Sequence, residues 1–168
     1  FDIDVIIRVT GDCPYVSNEI AQLLLKSHFE KGADFTASKE FAVGTSVEII
    51  NSNALRLLQS KKIDLSYSEY MSYYFKNNPE HFAINIVDLP EELIRNYRLT
   101  LDYQEDLELF RQIEDYFVSE NLEFSLRKLF EFLDSNPELS NLNSHLKLKY
   151  QTDKDLIAKL NKVTKIRE

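Results

Sequence analysis

The sequence predicts an α/β domain organised on an open sheet, for three reasons. Short β-branched runs such as Val5, Ile6, Ile7 and Val9 have the length and composition of strands. Other stretches carry apolar residues at helical spacing, as at Leu107, Phe110, Ile113 and Phe117. Two strand-like runs end near a carboxylate that precedes a helical pattern, Asp12 and Asp102. The carboxyl ends of strands are where open α/β sheets bind ligands.

Residues 4–14 (DVIIRVTGDCP) read as a strand buried on both faces, halted by Thr10-Gly11-Asp12. Pro14 forbids its continuation as an interior strand. Asp is common in such turns because it bonds nearby backbone, so a structural turn and a ligand-binding carboxylate both remain open for Asp12. A helix is expected over residues 17–31, capped by Ser17 and stopped by Gly32. His28, near its end, reads as a surface or satisfied histidine rather than a ligand. Residues 33–38 form a short strand, 41–46 a loop, and 47–50 a strand with Glu48 inside it. Alternation lets Glu48 point to solvent. Ser52 caps a helix to Gln59, and a second covers residues 66–76, dense in tyrosine. That aromatic stripe suits core packing or a homodimer interface.

Asn78-Pro79 breaks the pattern; residues 82–87 are a strand, and Leu89-Pro90-Glu91-Glu92 opens a connector. Residues 97–101 read as a strand ending on Asp102, followed by a helix over 103–118. Asp102 has a structural reading as an N-cap, with Glu105 completing a capping box. A pair of strand-end carboxylates also has the make-up of a Mg²⁺ site with positions left for phosphate. Helices over 124–133 and 153–167 complete the chain, with a polar-apolar stretch at 139–149 between them. His145 has no Cys or second His at ligand spacing, which argues against zinc.

Composition narrows the function classes. The 168 residues are 43% hydrophobic and 29% charged, an ordinary globular chain long enough for a proper core. A net charge of −8 argues against nucleic acid, which needs a basic face. An acidic chain still handles an anionic nucleotide when a divalent cation stands between them. The single cysteine, Cys13, excludes an internal disulfide and fits a reducing compartment. No run reaches membrane-span length and no signal segment opens the chain, so a cytoplasmic location is expected. Gly-rich phosphate loops and the serine-hydrolase and zinc-protease signatures are absent. The abrupt opening at Phe1-Asp2-Ile3 gives the expectation that residues upstream are missing.

The order of motifs resembles the cytidylyltransferases of the spore coat polysaccharide biosynthesis protein F type, relatives of the enzymes that form CMP-sialic acid and CMP-Kdo. The likeness runs through RVTGDCP at residues 8–14, GTSVEII at 44–50, EYMSYYF at 69–75, RLTLDYQEDLEL at 98–109 and NPEL at 136–139. Leu142-Asn143 follow before His145. The resemblance implies an open mixed sheet of nucleotidyltransferase, Rossmann-like type flanked by helices, without its N-terminal nucleotide-binding part. Residues 1–149 would be the C-terminal portion of that domain, and 150–168 a lysine-rich helical tail or linker. It implies CTP and a sugar or sugar acid as substrates and Mg²⁺ as cofactor, in cell-surface polysaccharide biosynthesis. Asp12 and Asp102 would be the catalytic and metal carboxylates, with Arg8, Glu48 and Arg98 binding substrate. The chain as it stands would be catalytically incomplete.

Ser46 stands where the family usually has Asp, Tyr70 where a His follows the glutamate, and Tyr73 where a Pro is usual. These departures fit a shifted substrate, or a non-catalytic relative acting as a binding or partner module. A sugar-nucleotide-dependent transferase ranks last, because its closely spaced Asp pair is absent.

Overall fold

Alternating side chains on four short strands separate two apolar clusters, one on each face of a sheet. In the computed structural model, which describes residues 2–61 and 63–167, the strands are β1 (Val5–Arg8), β2 (Phe35–Ser38), β3 (Glu48–Asn51) and β4 (Ile84–Val87). Ile49 of β3 packs into one cluster and its neighbour Ile50 into the other. The first cluster joins α1 (Asn18–Lys31), α4 (Gln104–Ser119) and α5 (Leu126–Ser135) through Ile20, Leu24, Leu109, Ile113 and Leu129. The second joins α2 (Ser52–Ser60) and α3 (Met71–Lys76) through Ala54, Leu58, Tyr74 and Phe75, with Phe35 of β2 between them. Fully burying each such side chain contributes roughly 1.5–3 kcal/mol, so the two clusters hold the layers together.

The sheet order is β1-β3-β2-β4. β3 runs antiparallel to both β1 and β2, whereas β2 and β4 are parallel. This is the open mixed sheet flanked by helices that the resemblance implied.

Local chemistry explains most element boundaries. Ser17 Oγ accepts from the Ile20 amide at 3.2 Å and starts α1; Gly32, left-handed at φ 57°, ends it. α2 is capped by Asn51, one residue before the expected Ser52, because the Asn51 side chain accepts from the Asn53 amide. The tyrosine-rich helix expected over 66–76 is a 3₁₀ turn at Ser68–Tyr70 running into α3. C-terminal to α5 come α6 (Pro137–Ser140), α7 (Lys149–Thr152) and α8 (Lys154–Val163). α8 is shorter than the expected 153–167 helix, and Leu160 and Ile166 are buried.

Two expectations are corrected. β1 is not buried on both faces: it pairs with β3 alone among the described residues, and Ile7 keeps 48% of its surface exposed. A β-branched run looks the same in sequence whether one neighbour or two flank it. The strand expected at 97–101 is an extended segment held by a single parallel bridge between Val43 and Arg98. Asp102 is therefore not the last residue of a strand. Nor is it the cap of α4: Tyr103 occupies that position, and the carboxylate that accepts the Asp102 and Tyr103 amides belongs to Asp106, not Glu105.

Candidate functional site

The turn after β1 and the segment before α4 meet backbone to backbone, since the Leu101 amide donates to the Asp12 carbonyl at 2.8 Å. That contact brings Asp12 and Asp102 together across a sequence gap no local signal spans. Thr100 stands between them: its hydroxyl lies 3.1 Å from Asp12 Oδ2 and 3.5 Å from Asp102 Oδ2. The segment is seated by Gly44, whose φ of 93° and lack of a Cβ allow the Leu99 carbonyl close approach. A Cβ there would lie 2.0 Å from that oxygen.

The two carboxylates are held differently. The Thr10 hydroxyl keeps the Asp12 carboxyl below the usual carboxylate range against an opposing push from burial, and Thr100 and Cys13 add to it. Thr10 Oγ1 is also 3.2 Å from Cys13 Sγ, so the whole turn is cross-tied. Burial pushes the Cys13 thiol up. Asp102 Oδ2 accepts from Arg98 Nη2 at 2.6 Å, and its side chain stays 41% exposed.

Arg98 is buried behind this pair, its side chain 6% exposed. Its Nε and Nη2 form a fork onto Asp106 Oδ1 and Oδ2 at 2.9 and 3.0 Å. Burial alone would raise Asp106; the Arg98 guanidinium, the Asp102 and Tyr103 amides and Asn143 outweigh it and hold the carboxyl low. Asn143 Nδ2 donates to both Asp106 Oδ1 and the Arg98 carbonyl. Arg98 thus orients Asp102 from behind, and its in-chain partners leave Nη1 without one among the described residues.

Arg8 and Glu48 face each other across the β1–β3 ladder, with Nη1 2.7 Å from Oε2. Arg8 Nη2 also donates to the Glu69 carbonyl. Ser46 Oγ is 2.6 Å from Ser38 Oγ, and the Tyr70 ring lies edge-on to Tyr150 at 6.2 Å. Thr100, Asp106, Asn143 and Tyr150 received no role from sequence reasoning. Asp106 and Asn143 fall inside stretches that carried the resemblance, which was the available signal. A recess between Tyr15, Phe117 and Phe124 has neither Asp12 nor Asp102 in its walls.

Among the described residues no group of three or more His, Cys, Asp or Glu is placed to hold a metal. Mg²⁺ asks for less: one or two carboxylates, with water and phosphate oxygens completing its shell. Asp12 and Asp102 fit that donor set.

A cytidylyltransferase family model matches residues 1–135, which holds both carboxylates and the Arg98–Asp106 pair. The chain belongs to the cytidylyltransferase family. It is 30% identical over 136 residues to the spore coat polysaccharide biosynthesis protein SpsF of Bacillus subtilis, covering 80% of this chain and 56% of that protein. An uncharacterised protein of Methanocaldococcus jannaschii is 32% identical over 151 residues, covering 87% of this chain and 60% of its own length. A solved cytidylyltransferase from Leptospira borgpetersenii superposes with a TM-score of 0.72 at 30% identity, over 88% of this chain and 61% of that one. The chain therefore spans under two thirds of the length of these relatives. Among the described residues no helix is long and apolar enough to cross a membrane.

Proposed function

We propose that this chain carries the metal-binding side of a CTP-dependent cytidylyltransferase that activates a sugar or sugar acid for surface polysaccharide biosynthesis. The observation that carries the reading is the pair Asp12 and Asp102, joined through Thr100 and braced from behind by Arg98 and Asp106. The family match supports the reaction class, and the similarity to SpsF supports the link to polysaccharide biosynthesis.

Asp12 and Asp102 would hold Mg²⁺, which when bound draws charge off the triphosphate. A sugar oxygen forms a bond to the α-phosphorus as the bond to the bridging oxygen breaks; pyrophosphate leaves and the sugar hydroxyl's proton passes to solvent. Arg98 holds the Asp102 carboxylate in place by donating to it, and Thr10 keeps the Asp12 carboxyl low. Arg8 and Glu48, paired at the rim of the cleft, are placed to meet a polyhydroxylated acceptor.

Calorimetry of CTP in the presence of Mg²⁺, on the longest form the gene encodes, tests this. Binding is expected, with loss of at least about tenfold in affinity for Asp12→Asn and Asp102→Asn, a carboxylate–metal contact being worth more than 1.4 kcal/mol. Removal of Mg²⁺ with EDTA is expected to reproduce the loss. The second reading, a binding module without turnover, draws on Ser46, whose hydroxyl is tied to Ser38 rather than presented as a carboxylate. Absence of CTP binding in the intact protein would favour it.

A further inference from the structure

We propose that residues 144–152 are a strap across the mouth of this cleft, and that Tyr150 is a ligand-positioning residue carried on it. The proposal rests on the reading of Asp12 and Asp102 as the nucleotide's anchoring carboxylates.

The segment is pinned at both ends and loose between. At one end Asn143, fully buried, donates to the Arg98 carbonyl and Asp106 Oδ1. Beyond the other end Leu160 is fully buried, and Asn78 accepts from the Ile166 amide and donates to the Thr164 carbonyl. Between Asn143 and Leu160 no described residue is buried. Segments with few buried contacts and firm ends open locally at low cost.

What holds the strap down is aromatic. Tyr73 donates its hydroxyl to the Tyr150 carbonyl at 2.9 Å, and Tyr70 meets the Tyr150 ring edge-on. The segment so held runs from the Arg98–Asp106 pair, where Asn143 is tied, to the side of the site where the Glu69 carbonyl, next to Tyr70, accepts from Arg8, the partner of Glu48. Its two attachments are therefore on the Asp102 side and on the Arg8–Glu48 side. A triphosphate reaching Asp12 and Asp102 meets Tyr150 on the way, and the phenol offers a donor to an anionic ligand.

Cys13, in the turn beside Asp12 and Thr100, would be covered by such a strap and so reports on it. Tyr150→Ala is expected to raise the rate of Cys13 alkylation by iodoacetamide, mapped by peptide mass, severalfold, while Tyr150→Phe keeps the ring and the wild-type rate. An unchanged rate in a folded Tyr150→Ala protein overturns the strap. Should that variant not fold, Tyr73→Phe, which removes the bond to the Tyr150 carbonyl, is expected to raise the rate in the same direction, and an unchanged rate there overturns the strap equally. On the longest form the gene encodes, the emission of Tyr150→Trp is expected to shift on adding CTP with Mg²⁺, read against the unsubstituted protein; this chain contributes no other Trp. Calorimetric CTP binding with silent Trp emission overturns the positioning role and leaves the cytidylyltransferase reading standing. No CTP binding in any form overturns both.

Discussion

Asp106 shows how a single buried carboxylate organises the groups around it. It accepts from Arg98 twice, from the Asp102 and Tyr103 amides, and from Asn143. An ionised group with that many donors tolerates complete burial. Asp106→Ala strands the Arg98 guanidinium in the interior and is expected to cost about 3–5 kcal/mol in urea unfolding. Asp102→Asn, at a side chain 41% exposed, is expected to cost under about 1 kcal/mol. Equal losses for the two would contradict the division between a bracing and a ligand-facing carboxylate. Asp12 and Asp102 were singled out in sequence as strand-end carboxylates; the structure brings the two together at Thr100, although Asp102 follows an extended segment rather than a strand. Asp106 was not, since an acidic residue in the first turn of a helix looks the same whether it is solvated or holds a buried arginine.

Among the elements, the packing of α1 on β2 has a pH dependence. His28 is buried; its Nδ1 lies 2.9 Å from Thr36 Oγ1, and Asn85 reaches the same hydroxyl. Burial lowers the His28 pKa below 6.5, and the nearby Asp34 opposes this. The unfolded chain then binds more protons just below pH 6.5 than the folded one does. Stability from this group is therefore full above 6.5 and falls as pH drops toward the folded value. Urea unfolding on either side of pH 6.5 is expected to show that slope, and His28→Gln to flatten it. A wild-type slope retained in His28→Gln would assign it to another group. Sequence reasoning placed α1 well, because Ser17 and Gly32 are strong local signals. It misjudged residues 97–101, where apolar alternation is real but only one bridge forms, to Val43. Strand propensity reports a half-buried extended chain, whereas a ladder also needs a partner that runs alongside.

For the whole molecule, the C-terminal region is joined to the sheet layer through Asn78. Its amide donates to the Tyr74 and Thr164 carbonyls and its oxygen accepts from the Ile166 amide, all in the interior. Asn78→Ala is expected to speed amide hydrogen exchange across residues 144–166 while β2 and β3 keep their protection. Uniform acceleration would mean that α8 and the sheet open as one unit. The sequence by itself determined the α/β class, the alternation of short strands and amphipathic helices, the family likeness, and Asp12 and Asp102 as the residues to ask about. Those properties are written in local spacing, turn chemistry and capping, which act over a few residues. The tertiary structure alone decided that Thr100 joins the two carboxylates, that Arg98 lies behind them on Asp106, and that Tyr150 comes back to Tyr70 and Tyr73. The first and last depend on residues 88 and 77 positions apart, and the second, between residues 8 apart, on which face of α4 ends up buried. Such pairings are set by how the layers pack, and short-range patterns do not encode them.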